Sequence, residues 1–286
     1  MTPEPTGTYD AAYHAALQAG SRRSAAVVLA LLQDLFAPKS LVDFGCGSGD
    51  WLAEARARGI PDLLGVDGPW VRAETLEIDP ALFDARDLSL PLDLGRRFDL
   101  ALCLEVAEHL PAAAAPGLVD TLCAHAPVVA FSAAIPGQGG EGHVNEAWPA
   151  YWRDLFTARG HACFDAIRPQ IWSEAEVEPW YRQNLLIFAA RDHLARDPAL
   201  RARLEQGSTG PLDLVHPAIF ESYCTLVTEM GERLGASMAQ VEQLEAERAA
   251  QAAQIDAQAA RLNALRNSLS WRITAPLRKI SRYLRR

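Results

Sequence analysis

The sequence predicts an α/β protein: a mostly parallel sheet with helices on both faces, followed by a long C-terminal helix. Three observations carry that prediction. Short apolar runs of buried-strand length alternate with longer helix-patterned segments. The first run, Leu41-Val42-Asp43-Phe44, leads into a turn with glycine at 45, 47 and 49, and a helical pattern (WLAEARARG) opens directly behind it. From about Val227 the chain changes to a seven-residue apolar period.

The elements follow in order. Residues 10–36 are rich in Ala and Leu, both strong helix formers, and predict one or two helices before the first strand. After Gly59, DLLGVDG predicts a second strand ending at Asp67, LFDARDLSLPLDL contains a third, and FDLALCLEVAEHLP a fourth. PVVAFSAAIP predicts a fifth strand, with WPAYWRDLFTARG as the helix behind it, and HACFDAIR and QNLLIFAA predict the last two. Residues 191–226 read as a helical and loop connection broken at Gly-Ser-Thr-Gly-Pro. Val227, Leu234, Val241, Ile255, Leu262 and Leu269 then share one heptad position, with Arg248 interrupting. The companion position holds Met230, Leu244 and Leu265 but also Ser237, Gln251 and Gln258. This fits a coiled coil that would make the protein a homo-oligomer, or a single solvated helix favoured by its alanines. The expected division is a catalytic domain over 1–190, a connection over 191–226, a coiled coil over 227–270 and a basic tail over 271–286.

The turn after the first strand points to a ligand. Glycines let backbone approach a bound molecule, and a helix N-terminus offers free N–H groups. A dinucleotide fingerprint would place its third glycine three residues after the second. Here the pattern is G-x-G-x-G preceded by Asp43. It resembles motif I of the class I S-adenosylmethionine-dependent methyltransferases, and the downstream blocks resemble that family in the same order. The resemblance implies a Rossmann-like seven-stranded sheet whose last strand is inserted antiparallel, with S-adenosyl-L-methionine as cofactor. It places Asp43, Gly45, Cys46, Gly47 and Gly49 under the amino-acid and ribose part of the donor. It puts Asp67 on the ribose hydroxyls and Asp87 with Leu88 at the adenine. It also counts Leu104 and Glu105, in the motif IV block that ends in Glu108-His109-Leu110, among the donor-binding residues. Asp67 alone would also fit a turn cap before Gly68-Pro69. Cys46 is expected to contribute backbone only, because acids flank it and a reactive thiol needs an electropositive site.

Methyl transfer to a hydroxyl needs alignment and a proton acceptor. The loop after the fifth strand, residues 135–146, is glycine-rich and ends in His143, Asn145 and Glu146. His143 is the expected general base, with Glu146 orienting it and Asn145 available to substrate hydroxyls. The alternative makes Asn145 the cap of the next helix. His109, four residues after Glu105, is the rival base, or else a structural hydrogen-bonding group. Trp172 and Trp180 border an expected acceptor lid, while Trp148, Trp152 and Phe156 have the spacing of a core-facing helix. Tyr9, Tyr13 and Arg23 are placed to close the site from the N-terminal side.

Composition narrows the function classes. No apolar stretch is long enough to span a bilayer, and MTPEPTGTYD lacks the features of a signal peptide, so a cytoplasmic location is expected. The five cysteines are scattered without a CxxC pair, which predicts neither disulfides nor zinc, and no metal site is expected. Net charge is −9, yet all 36 acids and 19 of the 27 basic residues precede position 257. An acidic body argues against nucleic acid as a partner. The tail, S-W-R-x-T-x-P-L-R, resembles one found after coiled coils in bacterial enzymes of surface-polysaccharide assembly; the matching residues are Ser270, Trp271, Arg272, Thr274, Pro276, Leu277 and Arg278. That resemblance implies a carbohydrate or lipid-linked saccharide acceptor. Ile273, Leu277, Ile280 and Leu284 share helical spacing amid basic residues, which suggests peripheral attachment at the inner membrane face or docking on a partner such as a glycosyltransferase.

Overall fold

The computed structural model describes the backbone of residues 7–206 and 210–283, and the side chains of 19–206, 210–278 and 280. One helix, α1 (Gly7–Phe36), precedes the sheet. Then come β1 (Ser40–Phe44), α2 (Asp50–Ala57), β2 (Asp62–Asp67), β3 (Phe83–Ala85), β4 (Leu100–Leu104), α3 (Ala115–His125), β5 (Val128–Ser132), α4 (Pro149–Thr157) and β6 (His161–Phe164). Two short helices, α5 (Arg168–Ile171) and α6 (Pro179–Asn184), lead to β7 (Leu186–Ala190). Between β2 and β3, where alternation predicts a helix, the described chain has only single 3-10 turns at Ala73–Thr75 and Pro80–Leu82.

The strand order is β3-β2-β1-β4-β5-β7-β6. All neighbours are parallel except β7, which runs antiparallel to both β5 and β6. The expected antiparallel insertion is therefore present. The two faces follow from the two-residue period of a strand. Leu41, Leu100 and Leu102 face one core with Val28 and Leu32 of α1 and Leu52 of α2. Their neighbours Val42, Ala101 and Cys103 face the other core with Leu118 and Leu122 of α3 and Trp152 and Phe156 of α4. Strands buried on both faces need continuous apolar sequence, which is what the runs supply.

Two helices after the sheet, α7 (Arg191–Arg196) and α8 (Pro198–Gln206), bury Leu194, Leu200 and Leu204 in the α1–α2 core. The chain then forms α9 (Pro217–Asn267), α10 (Leu269–Ile273) and α11 (Ala275–Tyr283). It divides into two compact units, residues 1–222 and 223–286. In the second unit Met230, Leu234, Val241, Leu244, Ile255, Leu262 and Leu265 are all exposed. The tail breaks at Thr274, so Ile273 and Leu277 belong to separate helices, and Pro276 sits in the first turn of α11. Its residues hold one another: the Arg278 guanidinium lies 3.8 Å over the Trp271 ring and donates to Thr274 Oγ1 at 2.6 Å. Leu284, Arg285 and Arg286 lie outside the described residues, as do the side chains of Lys279, Arg282 and Tyr283. Among the described residues no helix is long and apolar enough to cross a membrane.

Candidate active site

The carboxyl ends of β1, β4 and β5 open onto a cavity of about 570 Å³. It is lined by the glycine turn, the turn after β4, the loop after β5 and Trp180 and Tyr181 of α6. Gly45 adopts φ +85, and its N–H donates to the Val66 carbonyl at 2.7 Å, so the turn is pulled toward β2. A Cβ at Gly45 would stand 2.3 Å from Val106 Cγ2, which leaves glycine as the residue that fits. Gly47 also has positive φ, but a Cβ there would meet nothing within 4 Å, because that face looks into open space. Gly49 precedes α2 in a left-handed conformation.

Asp67 braces this turn. Its Oδ2 accepts from the Gly47 N–H at 2.7 Å and its Oδ1 from the Gly68 N–H at 2.6 Å. A carboxylate offers about four lone-pair sites, so two remain for a ligand. Asp43 is buried behind the turn; burial, and then the Asp67 charge, push its carboxyl up to about 8. Burial likewise pushes up the Cys46 thiol, with the charges of Asp43 and Asp67 adding to it. A thiol so shifted is no nucleophile, in keeping with a backbone role.

The opposite wall is made of side chains. Glu105 ends β4 at φ 56, a conformation rare for a residue with a Cβ. Its N–H donates to the Ser132 carbonyl at 3.0 Å, and its carboxylate accepts from Asn184 at 3.1 Å and Gln138 at 3.3 Å. Burial raises the Glu105 carboxyl, and these donors oppose the rise. Glu108 is fully buried, and neither of its carboxylate oxygens has a hydrogen-bond partner. Burial, and then the charge of Glu105, raise its carboxyl strongly.

The Glu108 carbonyl accepts from the Val144 and Asn145 N–H groups at 2.8 and 3.0 Å, which ties the loop after β5 to the turn after β4. His143 Nδ1 stands 3.0 Å from Glu146 Oε1. Glu146 in turn accepts from the N–H groups of Gly137 and Gly139 at 2.7 and 2.8 Å. Burial alone would raise the Glu146 carboxyl, but the hydrogen bonds from His143, Gly137 and Gly139 outweigh it and hold it below its ordinary value. The His109 ring meets the His143 ring edge-on, with centroids 4.9 Å apart. Burial, and then His143, lower the His109 imidazole.

Of the residues singled out in the sequence, Asp43, Gly45, Cys46, Gly47, Leu104, Glu105, His109 and His143 line the cavity. Asp67 and Glu146 stand behind it as supports. Asn145 is not a helix cap: α4 begins at Pro149, and Asn145 Nδ2 donates to the Ala107 carbonyl at 3.3 Å. Asp87 is exposed and accepts from the Ser89 N–H and hydroxyl; it and the buried Leu88 lie outside the cavity lining. Trp180 lines the cavity, but the Trp172 ring instead packs at a tilt against His216, with centroids 4.6 Å apart. Arg23 pairs with Glu178 at 3.2 Å, and the Tyr9 and Tyr13 side chains lie outside the described residues. Glu108, Gln138 and Asn184 join the site without any role having been readable for them in the sequence. Glu108 sits inside a recognised block, but nothing local says that a glutamate there is buried.

Residues 14–168 match the model of a family described as a methyltransferase domain, a little over half of the chain. The chain belongs to this methyltransferase domain family. No curated protein sequence matches it. Among solved structures it is similar to the sugar N-methyltransferase KedS8 from Streptoalloteichus sp ATCC 53650, at 20% identity and TM-score 0.48, over 67% of this chain and 96% of that one. It is similar to DesVI of Streptomyces venezuelae at 16% identity and TM-score 0.45, over 66% and 100% of the two chains. A third is CalS10, an amino pentose methyltransferase from Micromonospora echinaspora, at 17% identity and TM-score 0.43, over 66% and 99%.

Proposed function

We propose that this methyltransferase transfers the methyl group of S-adenosylmethionine to a hydroxyl of a saccharide or lipid-linked saccharide, in the assembly of a bacterial surface polysaccharide. The observation that carries the reading is the cavity itself, with one wall of glycine backbone and the other of titratable side chains. The glycine wall fits the donor: Gly47 presents backbone to open space, and Asp67 keeps free acceptor capacity beside it. Asp43, Gly45, Gly47 and Leu104 would hold the donor's amino-acid and ribose part. Bound S-adenosylmethionine supplies an activated methyl group on a sulfonium.

The chain's own work is to align the acceptor and handle its proton. His143 is the group for the proton, since Glu146 fixes its ring through Nδ1 and its other nitrogen remains for the acceptor. Glu105, fixed by Asn184 and Gln138, presents a carboxylate at the cavity for a second hydroxyl. Trp180 adds an aromatic face of the kind sugar rings pack on. The saccharide class is supported chiefly by the S-W-R-x-T-x-P-L-R tail, whose Trp271, Thr274 and Arg278 form one local unit. Incubation with methyl-labelled donor and lipid-linked or free saccharides tests it. Label should pass to the saccharide with release of S-adenosylhomocysteine; label appearing only on protein or nucleic acid overturns the acceptor assignment.

We place the protein in the cytoplasm, with the second unit serving attachment. The exposed heptad residues of α9 fit pairing with a second copy of the chain, and the basic amphipathic α11 fits an anionic membrane face. Full-length protein should float with anionic vesicles at low salt while a chain ending at Asn267 stays down. If neither floats, the tail docks on protein instead.

A further inference from the structure

The sequence raised no expectation of a metal, because cysteine spacing speaks only to thiolate sites. The structure brings a different donor set together. Glu108, His109 and His143 each aim one ligand atom at a common region, all within 4.8 Å of one another. Opposite ligands of an octahedral ion with bonds near 2.1 Å stand about 4.2 Å apart, so the cluster is close to that size.

Independent features point to an occupant. Glu108 is fully buried, and neither carboxylate oxygen receives a hydrogen bond of good geometry from the protein. Its neighbour is the carboxylate of Glu105, another acceptor. Glu105 is only partly buried, and its carboxylate beside that of Glu108 concentrates negative charge at the cavity, which a cation would neutralise. His143 is oriented as metal-bound imidazoles are, with Nδ1 against a carboxylate and that carboxylate fixed by two backbone N–H groups. A Cβ at Gly140 would stand 2.2 Å from His143 Nε2, so only glycine lets the ring sit where it does. Glu105, Glu108, His109 and His143 line the same cavity as Gly45 and Gly47.

We propose that Glu108, His109 and His143, with Glu105 beside them, bind a divalent transition-metal cation such as Mn²⁺ in the acceptor half of the cavity, where it holds the acceptor hydroxyl. Two imidazoles and a carboxylate without thiolate suit a divalent transition-metal ion rather than Mg²⁺, and three protein ligands leave coordination positions for a saccharide diol. This deepens the methyltransferase reading and rests on it. The coordinated hydroxyl gives its proton to solvent through the open cavity. Its oxygen then forms the bond to the methyl carbon while the carbon–sulfur bond breaks, and that electron pair returns to sulfur as a neutral thioether. With the ion bound, His143 Nε2 serves as its ligand, and the ion replaces His143 as the group that activates the acceptor hydroxyl.

The test uses full-length protein stripped with EDTA and titrated with Mn²⁺ alone, with free Mn²⁺ read by electron paramagnetic resonance. One ion should bind per chain, and His109→Ala and Glu108→Gln should each weaken binding at least tenfold. His109 is exposed, so its variant keeps the fold if the buried Glu108 variant does not. No stoichiometric binding, or equal binding by wild type and both variants, overturns the site. S-adenosylhomocysteine affinity, measured by calorimetry in EDTA, should stay intact. If that ligand fails to bind with or without Mn²⁺, the donor reading falls, and with it the ion's role in methyl transfer.

Discussion

The two walls of the cavity are built from different materials. The wall after β1 is backbone: three glycines, one of which tolerates no Cβ, braced by the Asp67 carboxylate from the next strand. The wall after β4 and β5 is side chain: Glu105, Glu108, His109 and His143, held by partners from α6 and the loop after β5. The first shapes a space for a ligand whose reactive group is already activated. The second carries charge and protons, which the proposed acceptor hydroxyl would need. A change on the side-chain wall should therefore strike turnover, and a change on the backbone wall should strike donor binding.

The sharpest break of that division is His143→Ala. Turnover should fall about 100-fold or more while S-adenosylhomocysteine affinity stays near wild type. Near-normal rates at saturating acceptor would remove His143 from the reaction and turn attention to His109. On the other wall, Asp67→Ala should weaken S-adenosylhomocysteine binding by about 2 kcal/mol, roughly 30-fold, in calorimetry. It should also lower the ligand-free melting temperature, because the Gly47 and Gly68 N–H groups lose their acceptor. Unchanged affinity would detach Asp67 from the donor site.

Gly45→Ala sharpens the same side. A left-handed conformation forced on alanine costs about 1–2 kcal/mol, and the contact with Val106 adds to it. Melting temperature and donor affinity should both drop, whereas Gly142→Ala, whose nearest neighbour is His109 Nδ1 at 3.5 Å, should leave donor affinity alone.

The last comparison is in pH. Asp43 rises from its ordinary value of 3.8 to about 8 on folding, first through burial and then through Asp67. The folded protein thus keeps a proton that the unfolded chain has released. Stability from this group is complete below 3.8 and is lost as pH rises through 8. Melting temperature should fall over that interval, and Asp43→Asn should make the fall shallower. The slope should not vanish, because Glu108 is raised in the same direction. An Asp43→Asn protein with the wild-type slope would show that Asp43 is ionised in the fold.

What was legible in the sequence is what depends on neighbours along the chain. Strand runs, the glycine turn and Asp67 were readable because strand, turn and helix are local, and each constrains a few adjacent residues. The heptads of α9 were readable as a helix for the same reason. The fate of residues 191–206 was not: α7 and α8 lie on the sheet because Leu194, Leu200 and Leu204 fill the α1–α2 core, and a burial partner far away in sequence leaves no local mark. Trp172 and Trp180 read alike, and only packing sent one to His216 and the other to the cavity. The same holds for Glu108. By itself the sequence determined the sheet, the glycine turn and the acids at the strand ends, because periodicity and backbone freedom are written residue by residue. The tertiary structure alone decided that Glu105, Glu108, His109 and His143 share one cavity. Long-range burial sets which carboxylates lose their water, and no local pattern encodes that loss.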